Sequence, residues 1–110
     1  MEGVKLGDLE QSILLGILAH KATAFSLEVR REMERATGKP VSRGAFYTTL
    51  ERLARKGLVT WEVVQPPNAR RQASQRRFTV TDAGIHALRH TRSSLHARWV
   101  RLDEALGEPR

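Results

Sequence analysis

Residues 41–57 read VSRGAFYTTLERLARKG, a segment with a start and a stop for one helix and a face that no core would use. Ser42 offers a side-chain oxygen to the first free amides of a helix, and Val41 and Phe46 have the spacing of a hydrophobic staple across it. Gly57 suits the left-handed position that ends a helix. Winding residues 43–57 at about 100° each brings Phe46, Leu50, Leu53 and Gly57 within about 60° of one another, the predicted core stripe. Opposite lie Gly44, Thr48, Glu51 and Arg55, with Tyr47 and Arg52 on the flanks. Gly44 weakens the helix by roughly 1 kcal/mol relative to Ala, and it removes a side chain where another body can approach. Ser42, Tyr47 and Thr48 carry hydroxyls, and Arg43, Arg52 and Arg55 carry guanidinium forks. Such a face matches a major groove, where residues near a helix N-terminus meet base edges and basic residues farther along hold phosphates.

Downstream, Leu58–Val64 alternates Val59, Trp61 and Val63 on one predicted strand face, and Arg77–Val80 offers a partner strand with Phe78 and Val80 on one face. Between them a Pro-led, polar stretch forms the tip of a long hairpin, with Arg70, Arg71, Arg76 and Arg77 in or beside it. A solvated helix face needs no such neighbour. A winged helix-turn-helix does, because its wing lies against the sugar-phosphate backbone or enters the minor groove.

Upstream, Asp8 and Gln11 have the spacing of a capping box, and Leu9, Ile13, Ile17 and Leu18 recur at helical intervals, predicting a first helix over about Leu9–Ala19. Residues 20–25 read as a connector. Leu27, Val29, Met33 and Ala36 stripe a second helix that Gly38 and Pro40 close. After the hairpin, Thr81 repeats the capping logic. Ile85, Leu88, Arg92, Leu95, Trp99, Leu102 and Leu106 then form a heptad stripe on a helix over about Asp82–Leu106. The expected fold is mainly α with a two-stranded β-hairpin: residues 1–81 a winged helix-turn-helix for DNA, residues 82–110 a long C-terminal dimerisation helix packed on the same module.

Charge agrees with this division. The chain has 110 residues and a net charge of +7. Residues 1–40 balance, residues 82–110 sum to +1, and residues 41–81 carry eight Lys/Arg against two Asp/Glu. A positive field so localised suits a polyanion. There is no cysteine, which excludes disulfides and thiolate metal sites, and the longest apolar run, Ile13–Ala19, is too short to span a bilayer. No signal-peptide order follows Met1, so the expected location is cytoplasmic and no membrane partner is expected. His86 and His90 have the spacing of a zinc pair, but no carboxylate or thiol matches it on that helix; no metal and no cofactor are expected. Ser93 and Ser94 near His90 lack a turn that would expose a nucleophile, and no glycine-rich phosphate loop occurs, so no catalytic residue is assigned and an enzyme is not expected.

Three segments in order, LGDLEQSILLGIL (6–18), AFSLEVRREMERATGKPVSRGAFYTTLERLARKGLV (24–59) and RRFTVTDAG (76–84), resemble the PadR family of bacterial transcriptional regulators. The family's third helix, S-x-G-A-L-Y-P-T-L-x-R-L, is matched by Ser42, Gly44, Ala45, Phe46, Tyr47, Thr49, Leu50, Arg52 and Leu53, with Thr48 in place of the usual Pro. The family's two adjacent aromatics on the second strand are reduced to Phe78, with Arg77 in the other place. The resemblance implies a homodimeric repressor on a pseudo-palindromic operator in double-stranded DNA, released in some members by a small molecule.

A dimer also follows from the chain itself, since Leu88, Leu95, Trp99, Leu102 and Leu106 outrun what three short helices can cover. Leu9, Ile13 and Ile17 of the first helix are expected to meet the partner's last helix, an arrangement like the family's. Trp99 is the candidate effector contact, able to stack on a planar aromatic guest. Two alternatives use the same charge or fold differently: a basic architectural DNA- or RNA-binding module without sequence choice, and a protein adaptor that binds no duplex.

Overall fold

The computed structural model describes residues 6–21, 23–65 and 75–107. Its elements run α1 (Asp8–Leu18), β1 (Thr23–Phe25), α2 (Ser26–Thr37), α3 (Arg43–Arg55), β2 (Val59–Val64), β3 (Gln75–Val80) and α4 (Asp82–Leu106). Four helices and a small antiparallel sheet form a winged helix-turn-helix with a long C-terminal helix, the expected fold class. One strand is added. The sheet has three strands in the order β1-β3-β2, and the supposed connector supplies β1, paired Thr23 to Thr79 and Ala24 to Phe78. Three residues are too few for a period-two signal, so the strand exists because β3 offers it an edge; the two threonine hydroxyls meet at 3.1 Å.

The caps follow local chemistry with one shift. The N-cap of α1 is Gly7, not Asp8, because the Glu10 carboxylate turns back to accept the Gly7 amide at 2.9 Å. Asp8 thereby becomes the first helical residue, where its charge faces the positive end of the helix. Ser42 caps α3 by accepting from the Ala45 amide at 3.3 Å. Gly57 lies at φ 77°, outside the core stripe predicted for it, in the turn that lets the Leu58 amide reach the Leu53 carbonyl at 2.9 Å. Thr81 caps α4 through the Gly84 amide at 3.0 Å and donates to the Gly57 carbonyl at 2.8 Å, joining two chain reversals.

The core gathers Ile13, Leu14 and Ile17 of α1, Val29 and Met33 of α2, Phe46, Leu50 and Leu53 of α3, and Val59, Phe78 and Val80 of the sheet. One expectation is corrected by it. Ile13 and Ile17 are fully enclosed by their own chain and offer a partner no surface; Leu9 is partly buried, and Leu15 is the large apolar residue of α1 that faces outward, 56% exposed. Trp61 and Val63 share the core face of the ribbon with Phe78, yet they stand 42% and 61% exposed. Alternation assigns a residue to a face, and only the reach of the helices decides whether that face is covered. Here the helices stop at Phe78 and the ribbon continues.

α4 leaves the body in the same way. Ile85 and Leu88 pack on the core, while every residue of α4 from Arg92 onward is exposed. The molecule measures 61 × 34 × 24 Å. Among the described residues no helix is long and apolar enough to cross a membrane.

Candidate nucleic-acid interface

α3 turns Phe46, Thr49, Leu50 and Leu53 inward, which leaves Arg43, Gly44, Tyr47, Thr48, Glu51, Arg52 and Arg55 on the surface. Thr49 joins the buried side because it fills the gap between Phe46 and Leu53, a position the four-residue stripe omits. Among the described residues, nothing beyond its own stretch of helix comes within 4 Å of where a Gly44 side chain would begin, so the middle of the outer face is open for close approach. Tyr47 stands at the rim, 37% exposed, its ring set edge-on to Phe46 with centroids 5.1 Å apart. Its hydroxyl lies 3.1 Å from that of Ser26 at the start of α2, which fixes the ring, and Arg43 lies 5.9 Å over it.

The described residues do not use all their positive charges alike. Among them, no ion pair engages Arg43, Arg52 or Arg55. Lys56, next in line, is taken inward: its Nζ lies 2.8 Å from Glu10 Oε2. Burial opposes ionisation of Glu10, but the Lys56 hydrogen bond, the Gly7 amide and the charges of Lys56 and Arg52 outweigh it and hold the carboxyl below its ordinary value. Arg76 and Arg77 are both paired, on opposite faces of the ribbon. Arg76 shares the α3 side with Trp61 and Phe78 and bonds Glu51 at 2.7 Å. Arg77 faces the other way with its cross-strand neighbour Glu62, at 2.5 Å, so it is not brought to the α3 surface with the rest of the predicted set. Arg70 and Arg71 lie outside the described residues.

Between α2, α3 and β3 these side chains border an open groove of about 540 Å³, lined by Ser26, Arg30, Arg43, Tyr47, Glu51 and Arg76 among others. Ser26, Glu51 and Trp61 carry no weight in the predicted set and acquire it only here, from contacts between elements distant in sequence. Among the described residues no group of three His, Asp or Glu is placed to hold a metal ion.

Comparison with known proteins agrees with this architecture. A family model, Transcriptional regulator PadR-like family, matches residues 14–90. Among solved structures, a PadR-like transcription factor from Bacteroides fragilis is 26% identical with a TM-score of 0.65, covering 90% of this chain and 86% of that one. F93 from STIV, a winged-helix DNA-binding protein, is 16% identical at a TM-score of 0.59, over 81% of this chain and 84% of the other. Bacillus subtilis PadR in complex with operator DNA is 19% identical at 0.61, with 74% of this chain matching 44% of that larger one. No curated protein sequence matches. Family match, winged-helix DNA-binding architecture and open α3 face coincide, and the chain belongs to the PadR-like family of transcriptional regulators, which are not enzymes.

Proposed function

We propose that this chain is a sequence-specific, homodimeric repressor of a pseudo-palindromic operator. The observation that carries the reading is the outer face of α3: among the described residues, Gly44 opens onto free space between Arg43 and Thr48, and no ion pair engages Arg52 or Arg55 farther along. In a major groove, Arg43, Tyr47 and Thr48 meet base edges near the helix N-terminus, with Ser42 and Gly44 permitting the approach. Arg52 and Arg55 meet phosphates, and Arg70 and Arg71, between the two ribbon strands in sequence, supply further backbone charge.

Dimerisation is supported by α4. Leu95, Trp99, Leu102 and Leu106 are 45%, 56%, 44% and 68% exposed, an apolar stripe that water should not face. A groove of about 530 Å³ between α1 and α4, lined by Leu15, Leu18, Ile85, Leu88, Arg92 and Leu95, accepts the α4 of a second copy. Two copies related by a twofold axis place two α3 helices on one side of a duplex, and occupied half-sites then exclude polymerase. A planar aromatic effector stacking on Trp99 would act where the two chains join.

The test is a gel shift with duplex DNA from upstream of the chain's own gene against scrambled duplex, repeated across salt concentrations. Preferential retardation of the upstream duplex that survives added salt is expected. Equal affinity for both duplexes points instead to a basic module without sequence choice, and no retardation at low salt points to a protein adaptor.

A further inference from the structure

Glu51 is the single acidic residue of α3, and it sits on the outer surface, its side chain about half exposed. A carboxylate presented to a polyanion opposes binding unless it has another task. One is visible. Glu51 Oε2 accepts from Arg76 Nη1 at 2.7 Å, and the Arg76 guanidinium also lies 4.3 Å from the centroid of Trp61. The edge of the guanidinium is thereby taken by α3 and its face by β2, while its own backbone belongs to β3. Among the described residues it is the one ion pair between α3 and the ribbon. It occurs just where the ribbon has left the core, beyond buried Phe78.

Resting on the operator-binding reading above, we propose that Glu51, Arg76 and Trp61 are positioning residues. They clamp the wing at the angle at which it and α3 meet one duplex together, and Arg76 is used within the protein, not on a phosphate. The alternative, in which Arg76 is a phosphate ligand merely restrained by Glu51, has the opposite sign. Removing the Glu51 charge would then free a cation, take away a repulsion and tighten binding. Under the clamp, the same change loosens the wing and weakens binding.

The experiment compares the full wild-type chain with Glu51→Gln, Arg76→Gln, the double variant, Trp61→Ala and Trp61→Phe, by fluorescence anisotropy on the duplex retained in the gel shift, across salt concentrations. Expected is a loss of about threefold to fivefold for Glu51→Gln and for Arg76→Gln, the range of one exposed pair. The double variant should be no weaker than either single one, with unchanged salt slopes and unchanged base preference. Trp61→Phe should keep more affinity than Trp61→Ala, since it keeps a ring for the guanidinium. Tighter binding by Glu51→Gln, a changed base preference, or a salt slope reduced by about 0.9 per wing in Arg76→Gln overturns the proposal.

A DNA-free measurement separates its failure from that of the function. Amide exchange over residues 59–64 and 75–80 should quicken in Glu51→Gln, and unchanged exchange overturns the clamp. If wild-type protein retards no duplex, the operator reading falls and the exchange result still decides whether the ribbon is held.

Discussion

Glu10 Oε2 and Lys56 Nζ lie 2.8 Å apart, joining the first turn of α1 to the end of α3 across the edge of the core. Glu10 is almost wholly buried, and its carboxyl titrates below the usual value of 4.5, against the effect of burial, because Lys56, the Gly7 amide and Arg52 favour its charge. A carboxyl lowered in the folded chain stabilises the fold above its unfolded value and loses that contribution as pH falls through the folded one. Wild type should therefore exceed Glu10→Gln in thermal stability near neutrality, and the difference should shrink as the pH falls below 4.5 and through the lower value of the folded carboxyl.

Lys56→Met leaves the same carboxylate buried without its cation. A loss of about 1–3 kcal/mol in urea unfolding is expected, the cost of an unsatisfied buried group and less than that of a fully buried broken pair, because Lys56 is partly exposed. An unchanged unfolding midpoint would mean that solvent already serves Glu10.

A side chain at Gly84 would begin 2.4 Å from the Leu58 carbonyl oxygen and 2.8 Å from Val80 Cγ1. Backbone cannot yield as a flexible side chain can. Gly84→Ala should lower stability by about 1–3 kcal/mol, although Ala is the better helix former. A rise in melting temperature would show that α4 shifts freely against the α3–β2 turn.

Gly44 has the reverse character, a helical glycine with, among the described residues, no other element within 4 Å of where its side chain would begin. Gly44→Ala should stabilise the free protein by about 0.5–1 kcal/mol while weakening duplex binding severalfold. Thermal melting and anisotropy on one sample then move in opposite directions. If both improve, the centre of the α3 face does not approach DNA closely.

Leu102, 44% exposed on α4, should lie within the twofold interface. Leu102→Asp is expected to leave helicity by circular dichroism unchanged and to shift the sedimenting species toward the 12.4 kDa monomer. It should also remove the concentration dependence of wild-type melting. A variant that sediments like wild type would place the partner's contact elsewhere.

Local chemistry determined much of this protein from sequence alone. Ser42 and Thr81 start their helices, Gly57 ends one, and Phe46, Leu50 and Leu53 turn inward as their spacing requires. The open α3 face followed from the same winding, because a cap and a helical period involve only neighbours within a few residues. What depended on distant neighbours was decided by tertiary structure. β1 needed the edge of β3, Ile13 and Ile17 were claimed by their own core, and Trp61 fell outside it because no helix reaches that far along the ribbon. The charges divided likewise. Eight basic residues between 41 and 81 look equivalent in sequence, yet folding pairs Lys56 with Glu10, Arg76 with Glu51 and Arg77 with Glu62, leaving Arg43, Arg52 and Arg55 unpaired among those described. Net charge is a sum over the chain, whereas the charge free to meet a ligand depends on which carboxylates the fold brings within reach.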